Sequence, residues 1–113
     1  MIIVATELHV RSFRHFFEFA FYSVRSTLQA KKTKGCIKAE VLNGGWRIGY
    51  TLTAWETKEA MMEFRNSGAH KQAMLKIRKL SPQYKTLWWE RDTIPGWDEA
   101  KSKLAGVDFI FLK

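Results

Sequence analysis

The sequence predicts an α+β domain of the ferredoxin-like split βαβ class, whose antiparallel sheet pairs with that of a second copy to form a dimeric α/β barrel. Two observations predict this fold. First, apolar patterns typical of strands and of helices follow one another in the order strand, helix, strand, strand, helix, strand. Second, large apolar side chains lie on both faces of the predicted strands. Because 113 residues suffice for one buried core, we expect a single domain over residues 1–113, with residues 95–113 as a C-terminal helix-strand extension.

The first two elements are a strand and a long helix. Residues Ile2–Leu8 alternate as a strand does, and residues Phe13–Lys32 carry apolar side chains at steps of three and four, which indicates an amphipathic helix. Ser12 is a candidate N-cap for this helix. The stripe expected to face the sheet consists of Phe13, Phe16, Phe17, Ala20, Val24 and Leu28. Phe19 and Tyr22 lie off the stripe, so we expect them to contact a partner.

A hairpin follows over residues 36–55. Alternating apolar positions before and after the turn Asn43-Gly44-Gly45 predict its two strands, the second of which spans Arg47–Trp55. Two antiparallel strands are therefore expected beside the first.

The second half of the chain repeats the pattern of helix and strand. Thr57 is a candidate N-cap for a second helix, which is interrupted at Ser67-Gly68 and continues to about Leu80, where Ser81-Pro82 ends it. Three more segments are predicted, in order a strand, a short helix and a strand: Tyr84–Arg91, Trp97–Leu104 and Val107–Leu112.

In the split βαβ arrangement both main helices lie on one face of the sheet. The other face would then expose a larger apolar patch than a monomer tolerates. We therefore expect this open face to pack on a second copy of the chain related by a two-fold axis, which gives an eight-stranded barrel with the helices outside. The expected partner is a homodimer mate.

The chain is basic, with a formal net charge of +8. The excess cations lie in two stretches that lack acidic residues, one between Glu18 and Glu40 and one between Glu63 and Glu90. Each stretch ends a predicted helix, where cations complement the partial negative charge of the C-terminus. The alternative is a patch for an anionic ligand.

Cysteine content and hydropathy indicate the compartment. Cys36 is the only cysteine, which excludes an intramolecular disulfide framework and a multi-cysteine metal site, and we expect its thiol to be inert. No metal site is predicted. No apolar run reaches the ~18 residues of a membrane span, and the N-terminus lacks the features of a signal peptide. We expect a cytoplasmic protein without a membrane partner.

Residues 51–80 contain a set of residues whose spacing carries a family resemblance: Trp55, Ala60-Met61, Phe64, Gly68, His70, Ala73 and Arg78. The pattern resembles the antibiotic-biosynthesis-monooxygenase-like proteins of the dimeric α/β-barrel superfamily, and most closely the spheroidene-monooxygenase-like branch. This resemblance implies a homodimer with an apolar pocket between sheet and helices in each subunit. It also implies oxygenation, isomerisation or binding of a small hydrophobic molecule.

The same resemblance leaves haem open as a cofactor. In the haem-degrading branch of the superfamily, the axial histidine matches Met74 here and a tryptophan matches Phe64. We therefore do not expect haem degradation by that mechanism. In the spheroidene-monooxygenase-like branch, which resembles haem-associated proteins, His70 matches a family histidine.

His70 is the candidate catalytic residue. Near the start of a helical segment its imidazole is kept neutral, which suits a general base, a hydrogen-bond acceptor or an iron ligand. The alternative is a structural histidine at a helix break. The candidate pocket or ligand-binding residues are mostly aromatic: Trp55, Met74, Tyr50, Phe64, Trp89 and His9. For the aromatic residues, packing in the core or at the dimer interface is the alternative.

Three functions fit the sequence. The first is a monooxygenase-like protein that binds a small hydrophobic substrate or haem, and the sequence leaves open whether it is an enzyme, cofactor-free or haem-associated. The second is a non-catalytic small-ligand-binding dimeric module. The third is an RNA-binding domain, because the RNA-recognition motif shares this element order. The aromatic residues Trp46, Tyr50 and Trp55 do not alternate as in that motif, so a nucleic-acid partner is not favoured.

Overall fold

A five-stranded antiparallel sheet forms the centre of the protein, in the strand order β2-β3-β1-β4-β5. The computed structural model describes residues 1–66 and 68–111, without the side chains of Ala69, His70 and Ala73. The strands are β1 (Ile2–His9), β2 (Cys36–Gly44), β3 (Ile48–Trp55), β4 (Gln83–Glu90) and β5 (Ile110–Phe111). The helices are α1 (Phe13–Lys32), α2 (Lys58–Arg65), α3 (Gly68–Leu75), α4 (Ile77–Leu80) and α5 (Trp97–Ala105). This is the ferredoxin-like α+β class, as predicted.

Local signals place most element boundaries. The Ser12 hydroxyl accepts a hydrogen bond from the His15 amide at the start of α1, and the Thr57 hydroxyl accepts one from the Ala60 amide at the start of α2. The last strand is shorter than predicted, because only Ile110 and Phe111 pair with β4. The predicted end of that strand, Leu112, lies outside the described residues.

Helix α1 turns a different side to the sheet from the one predicted. Phe17 and Leu28 of the predicted inner stripe are 62% and 51% exposed, whereas Phe19 is only 8% exposed. The reason lies in the sheet beneath the helix, where Gly49 leaves room for the Phe19 ring. A Cβ atom at position 49 would clash with that ring. Phe19 is thus a core residue, and its predicted contact with a partner is wrong.

Two hydrophobic cores flank the sheet. On the side of α1 and α2 the buried residues are Ile2, Ala30, Ala39, Trp55, Met61 and Phe64. On the opposite side they are Ile3, Ala5, Leu52, Ala54, Ala100 and Leu104, of which the last two belong to α5. Helix α5 therefore covers part of the face that was expected to be bare within one chain. The sequence predicts a helix over Trp97–Leu104 and does not indicate which face of the sheet it covers. The expectation of a bare face is wrong for that reason.

None of the helices in the described part of the chain has the length and hydrophobicity that crossing a lipid bilayer requires.

Candidate functional site

A cavity of about 180 Å³ lies between the sheet and helices α1 to α4. We call it the sheet–helix cavity. An apolar protein cavity of roughly 150 Å³ holds benzene, so this space suits a molecule with a single ring. It arises because the inner side of α1 carries small polar residues, which do not reach the sheet as larger apolar side chains would.

The floor of the cavity is a set of threonines on three central strands. Thr6 of β1 has Thr51 and Thr86 as its neighbours in β3 and β4, so these side chains point to the same face of the sheet. The Thr6 and Thr86 hydroxyls lie 2.9 Å apart, and Thr86 also donates to the Ala5 carbonyl. The Trp55 indole donates to the Thr53 hydroxyl at 2.9 Å. The hydroxyls of Thr6, Thr53 and Thr86 therefore already have protein partners.

The roof of the cavity is the polar side of α1. Ser23, Ser26 and Thr27 follow one another at helical spacing and all line the cavity. The Ser26 hydroxyl oxygen is buried and has no hydrogen-bond partner within the described part of the chain. A buried hydroxyl without a partner costs about 1–3 kcal/mol, which a ligand oxygen in the cavity would remove. Ser26 is therefore a polar contact that the cavity offers to a ligand.

Aromatic and sulfur-containing side chains form the apolar wall. Trp55 is fully buried, and its ring centroid lies 5.1 Å from that of Phe64. Met61 of α2 and Met74 of α3 also line the space. Three residues predicted from the sequence, Trp55, Phe64 and Met74, therefore come together here.

The other predicted pocket residues lie on the opposite face of the sheet. Tyr50 contacts Trp97 of α5, and Trp89 packs against the core on that side. Burial raises the pKa of Tyr50 above its ordinary value, and the Glu7 carboxylate raises it further. His9 makes its hydrogen bonds there too, to Glu7 at 2.8 Å and to Gln83 at 3.1 Å.

The side chain of His70, the candidate catalytic residue, lies outside the described residues. Its backbone belongs to α3, one helical turn before Met74. The polar residues of the cavity were not predicted. A signal for them exists in the sequence, because Ser23, Ser26 and Thr27 share one side of α1 while Thr51 and Thr53 alternate along β3.

The enclosed volume of the cavity is smaller than haem. A porphyrin contains four pyrrole rings, several times the size of the single ring that about 180 Å³ can enclose. Of the histidines whose side chains are described, His9 lies on the other face of the sheet and His15 binds Ser12 at the start of α1. The described residues also contain no group of three or more His, Cys, Asp or Glu side chains that could hold a metal ion.

A family model described as a domain of unknown function, DUF3291, matches residues 12–108. The chain belongs to the DUF3291 family. No curated protein sequence shows significant similarity to this DUF3291 chain.

Solved structures show which fold the DUF3291 chain shares. A protein from Mycobacterium tuberculosis has a TM-score of 0.74 and 9% identity, over 84% of this chain and 98% of that one. An antibiotic biosynthesis monooxygenase has a TM-score of 0.73 and 7% identity, over 82% of this chain and all of that one. A mutant of SnoaB, a cofactor-independent oxygenase from Streptomyces nogalater, has a TM-score of 0.68 and 12% identity, over 81% and 93% of the two chains.

The DUF3291 chain thus shares the fold of antibiotic biosynthesis monooxygenases, and the resemblance seen in residues 51–80 is confirmed at the level of the fold. At such low identity the likeness extends to the fold alone. The closer likeness to the spheroidene-monooxygenase-like branch stays a prediction, as do the site residues.

Proposed function

We propose that this DUF3291 protein is a monooxygenase-like protein that binds a small aromatic molecule with one hydrogen-bonding oxygen in the sheet–helix cavity. The observation that carries the proposal is the buried Ser26 hydroxyl, which faces an apolar space large enough for one ring and has no protein partner among the described residues. The ring would pack against Trp55 and Phe64, and the ligand oxygen would accept a hydrogen bond from Ser26.

Oxygenation of such a ligand requires a substrate that gives up a proton and supplies its own electrons to O₂. An activated CH₂ group next to an aromatic ring meets this requirement, and its reaction with O₂ yields C=O and water. In this proposal Ser26 stabilises the oxygen anion of the deprotonated substrate, and His70 takes the proton. The apolar wall excludes bulk water from the anion.

Calorimetric titration with phenol and with benzene tests the binding site. We expect phenol to bind more tightly than benzene. Ser26→Ala should lower the ratio of the two affinities about five- to tenfold, because it removes one hydrogen bond. Ser102→Ala, an exposed serine of α5, is the matched control and should change nothing. Ser26→Leu should abolish binding of both compounds and also raise the melting temperature, because it fills the cavity and removes the unpartnered hydroxyl. Unchanged binding in Ser26→Leu would refute the site.

Oxygen consumption separates the enzyme from a binding module. We expect a bound aromatic compound with an acidic CH₂ group to be oxidised with uptake of O₂, and His70→Ala to abolish the uptake while the compound still binds. The second candidate function is a non-catalytic small-ligand-binding module, favoured because Glu40, the only carboxylate among the described lining residues, already pairs with Lys38 at 2.9 Å. Binding without O₂ uptake in the unmodified protein would establish it instead.

We also propose that the protein is a homodimer whose interface uses the sheet face that α5 only partly covers. Tyr50, Leu87 and Trp89 remain partly exposed on this face, as expected for residues that a second copy would bury. Sedimentation velocity at micromolar concentration should give twice the mass of the chain. A single chain at that concentration would refute the dimer and leave the cavity, which lies on the other face of the sheet, unaffected.

A further inference from the structure

The outer side of α1 carries a continuous apolar surface that no described part of the chain covers. We call it the outer stripe: Phe13, Phe17, Phe21, Val24 and Leu28. Each of these side chains is more than half exposed. At 3.6 residues per turn they fall within an arc of roughly 80° and extend over roughly 22 Å. Scattered exposed apolar residues are normal on a protein surface, but a contiguous stripe of this length marks an interaction site.

Cations lie beside the outer stripe, and the Arg25 guanidinium is 5.4 Å from the centre of the Phe21 ring. Helix α1 packs beside α3 and α4, which brings together the two basic stretches of the sequence. Residues 13–32 and 68–80 contain eight exposed basic side chains and one acidic residue, Glu18, which pairs with Lys79 at 3.2 Å. The basic side chains are Arg14, Arg25, Lys31, Lys32, Lys71, Lys76, Arg78 and Lys79. We call this set the basic layer, and with Glu18 it accounts for most of the net charge of +8.

The outer stripe and the basic layer together limit which kind of partner can bind to this surface. Nucleic acid would satisfy the cations and leave five large apolar side chains in water. A second copy of this chain would bury the stripe, and it would also bring two basic layers together, which like-charge repulsion disfavours. An acidic helix would lie along one line beside α1, whereas the cations spread across α1, α3 and α4. An anionic, fluid and extended surface satisfies all these features at once.

We infer that the helix layer of this protein docks on anionic lipid membranes, with the outer stripe inserted among the lipids and the basic layer on their headgroups. A helix with apolar aromatic residues on one side and Lys or Arg beside them lies in the plane of a membrane interface. The expectation of no membrane partner rested on the absence of a spanning segment, which does not bear on a helix that lies along the surface.

Neighbouring residues extend the docking surface beyond α1. The Trp46 ring in the β2–β3 turn lies 5.7 Å from the Phe13 ring, and the Arg47 guanidinium lies over Trp46 at 5.2 Å. Tryptophan with an adjacent cation is favoured at the headgroup level of a membrane. Leu75 of α3, the helix that packs beside α1, is 76% exposed and adds apolar area to the helix layer.

Sedimentation with vesicles tests the proposal on the intact chain. We expect binding to vesicles of phosphatidylcholine with phosphatidylglycerol, weak or no binding to phosphatidylcholine alone, and loss of binding as salt is raised from about 0.01 M to about 1 M, since screening shortens the reach of the charges. Phe17→Ser and Phe21→Ser should each weaken binding about tenfold, because each removes an inserted ring. Phe111→Ser makes the same change at an exposed position of β5, outside the helix layer, and should have no effect.

A second pair of variants tests the charges. The double change Lys31→Gln and Lys32→Gln should weaken binding about fivefold per lysine. The double change Lys101→Gln and Lys103→Gln, on α5 across the sheet, should not. All these positions are exposed, so unchanged thermal melting would confirm that the variants fold.

Equal binding to both vesicle types, no binding to either, or stripe variants that bind like the unmodified chain would overturn the proposal. So would self-association that Phe17→Ser abolishes, because a second copy would then occupy the stripe. The proposed ligand site does not depend on these results, since phenol binding is measured without lipid.

Discussion

Replacing Gly35 with alanine should destabilise the protein for two separable reasons. Gly35 links α1 to β2 with a φ of +92°, in a region that favours glycine. Its carbonyl accepts a hydrogen bond from the Glu56 amide at 2.7 Å, which ties this turn to the end of β3. A Cβ atom at position 35 would lie 2.6 Å from the Cβ of Ala60 in α2. The turn therefore has space for a hydrogen atom and none for a methyl group.

The expected loss follows from these two contributions. The positive φ costs an alanine about 1–2 kcal/mol. The clash adds about 1–3 kcal/mol, because the Ala60 methyl group is fixed to a helix backbone and cannot rotate away. Gly45→Ala is the matched control, since Gly45 has a φ of +67° and no neighbour within 4 Å of an added Cβ. It should show the first contribution alone. Gly96→Ala has neither feature, and it should cost only the roughly 1 kcal/mol by which a helix N-cap prefers glycine to alanine, since Gly96 is the N-cap of α5.

Equilibrium unfolding in urea measures all three variants. We expect Gly35→Ala to lower the free energy of unfolding by about 2–5 kcal/mol, and Gly45→Ala by about 1–2 kcal/mol. If the two lie within about 0.5 kcal/mol of each other, the close approach of α2 to the turn is refuted. The double variant Gly35→Ala with Ala60→Gly should recover the part of the unfolding free energy that the clash removes. The roughly 1 kcal/mol that glycine costs in a helix is subtracted from this gain.

Three further predictions concern other parts of the molecule. Leu104→Ala should lower the free energy of unfolding by about 2–5 kcal/mol, because Leu104 is fully buried between α5 and the sheet. Thermal or urea unfolding measures this loss. A loss below about 1 kcal/mol would mean that α5 does not pack there. Burial raises the pKa of the Cys36 thiol, so the pH at which iodoacetamide alkylates it rapidly should be higher in the folded protein than in urea; identical pH profiles would contradict this. Burial and Glu7 raise the pKa of Tyr50, so Tyr50 keeps its proton to higher pH in the folded state than in the unfolded chain. The free energy of unfolding should therefore fall as pH rises above about 10. Urea titrations of Tyr50→Phe should show a shallower fall, and an equal slope would count against the assignment.

Local signals were sufficient to predict the elements, because their causes are local. The N-caps Ser12 and Thr57 and the period of α1 depend on residues within a few positions of each other. The orientation of α1 could not be predicted in the same way. Periodicity identifies which side chains share a side of a helix, and the chemistry of the sheet beneath decides which side is buried. Here that sheet presents threonines and Gly49, so the polar side with Phe19 faces it.

The candidate site was predictable only in part for a similar reason. Trp55, Phe64 and Met74 lie within the segment that carries the family resemblance, and all three line the cavity. Tyr50 and Trp89 were grouped with them as aromatic residues of neighbouring strands. Their position in the alternation places them on the other face, where α5 supplies the packing. The location of α5 depends on contacts distant in sequence, which a local pattern does not contain.

The position of α5 has a consequence for protein synthesis. This helix follows the first four strands in the chain, yet its Ala100 and Leu104 complete the core around Ile3 and Leu52. A nascent chain that has already formed the sheet therefore still presents bare hydrocarbon on one side until residues 97–105 leave the ribosome. During that interval the unfinished chain is a substrate for chaperones, and a nonsense mutation before residue 97 would make that state permanent.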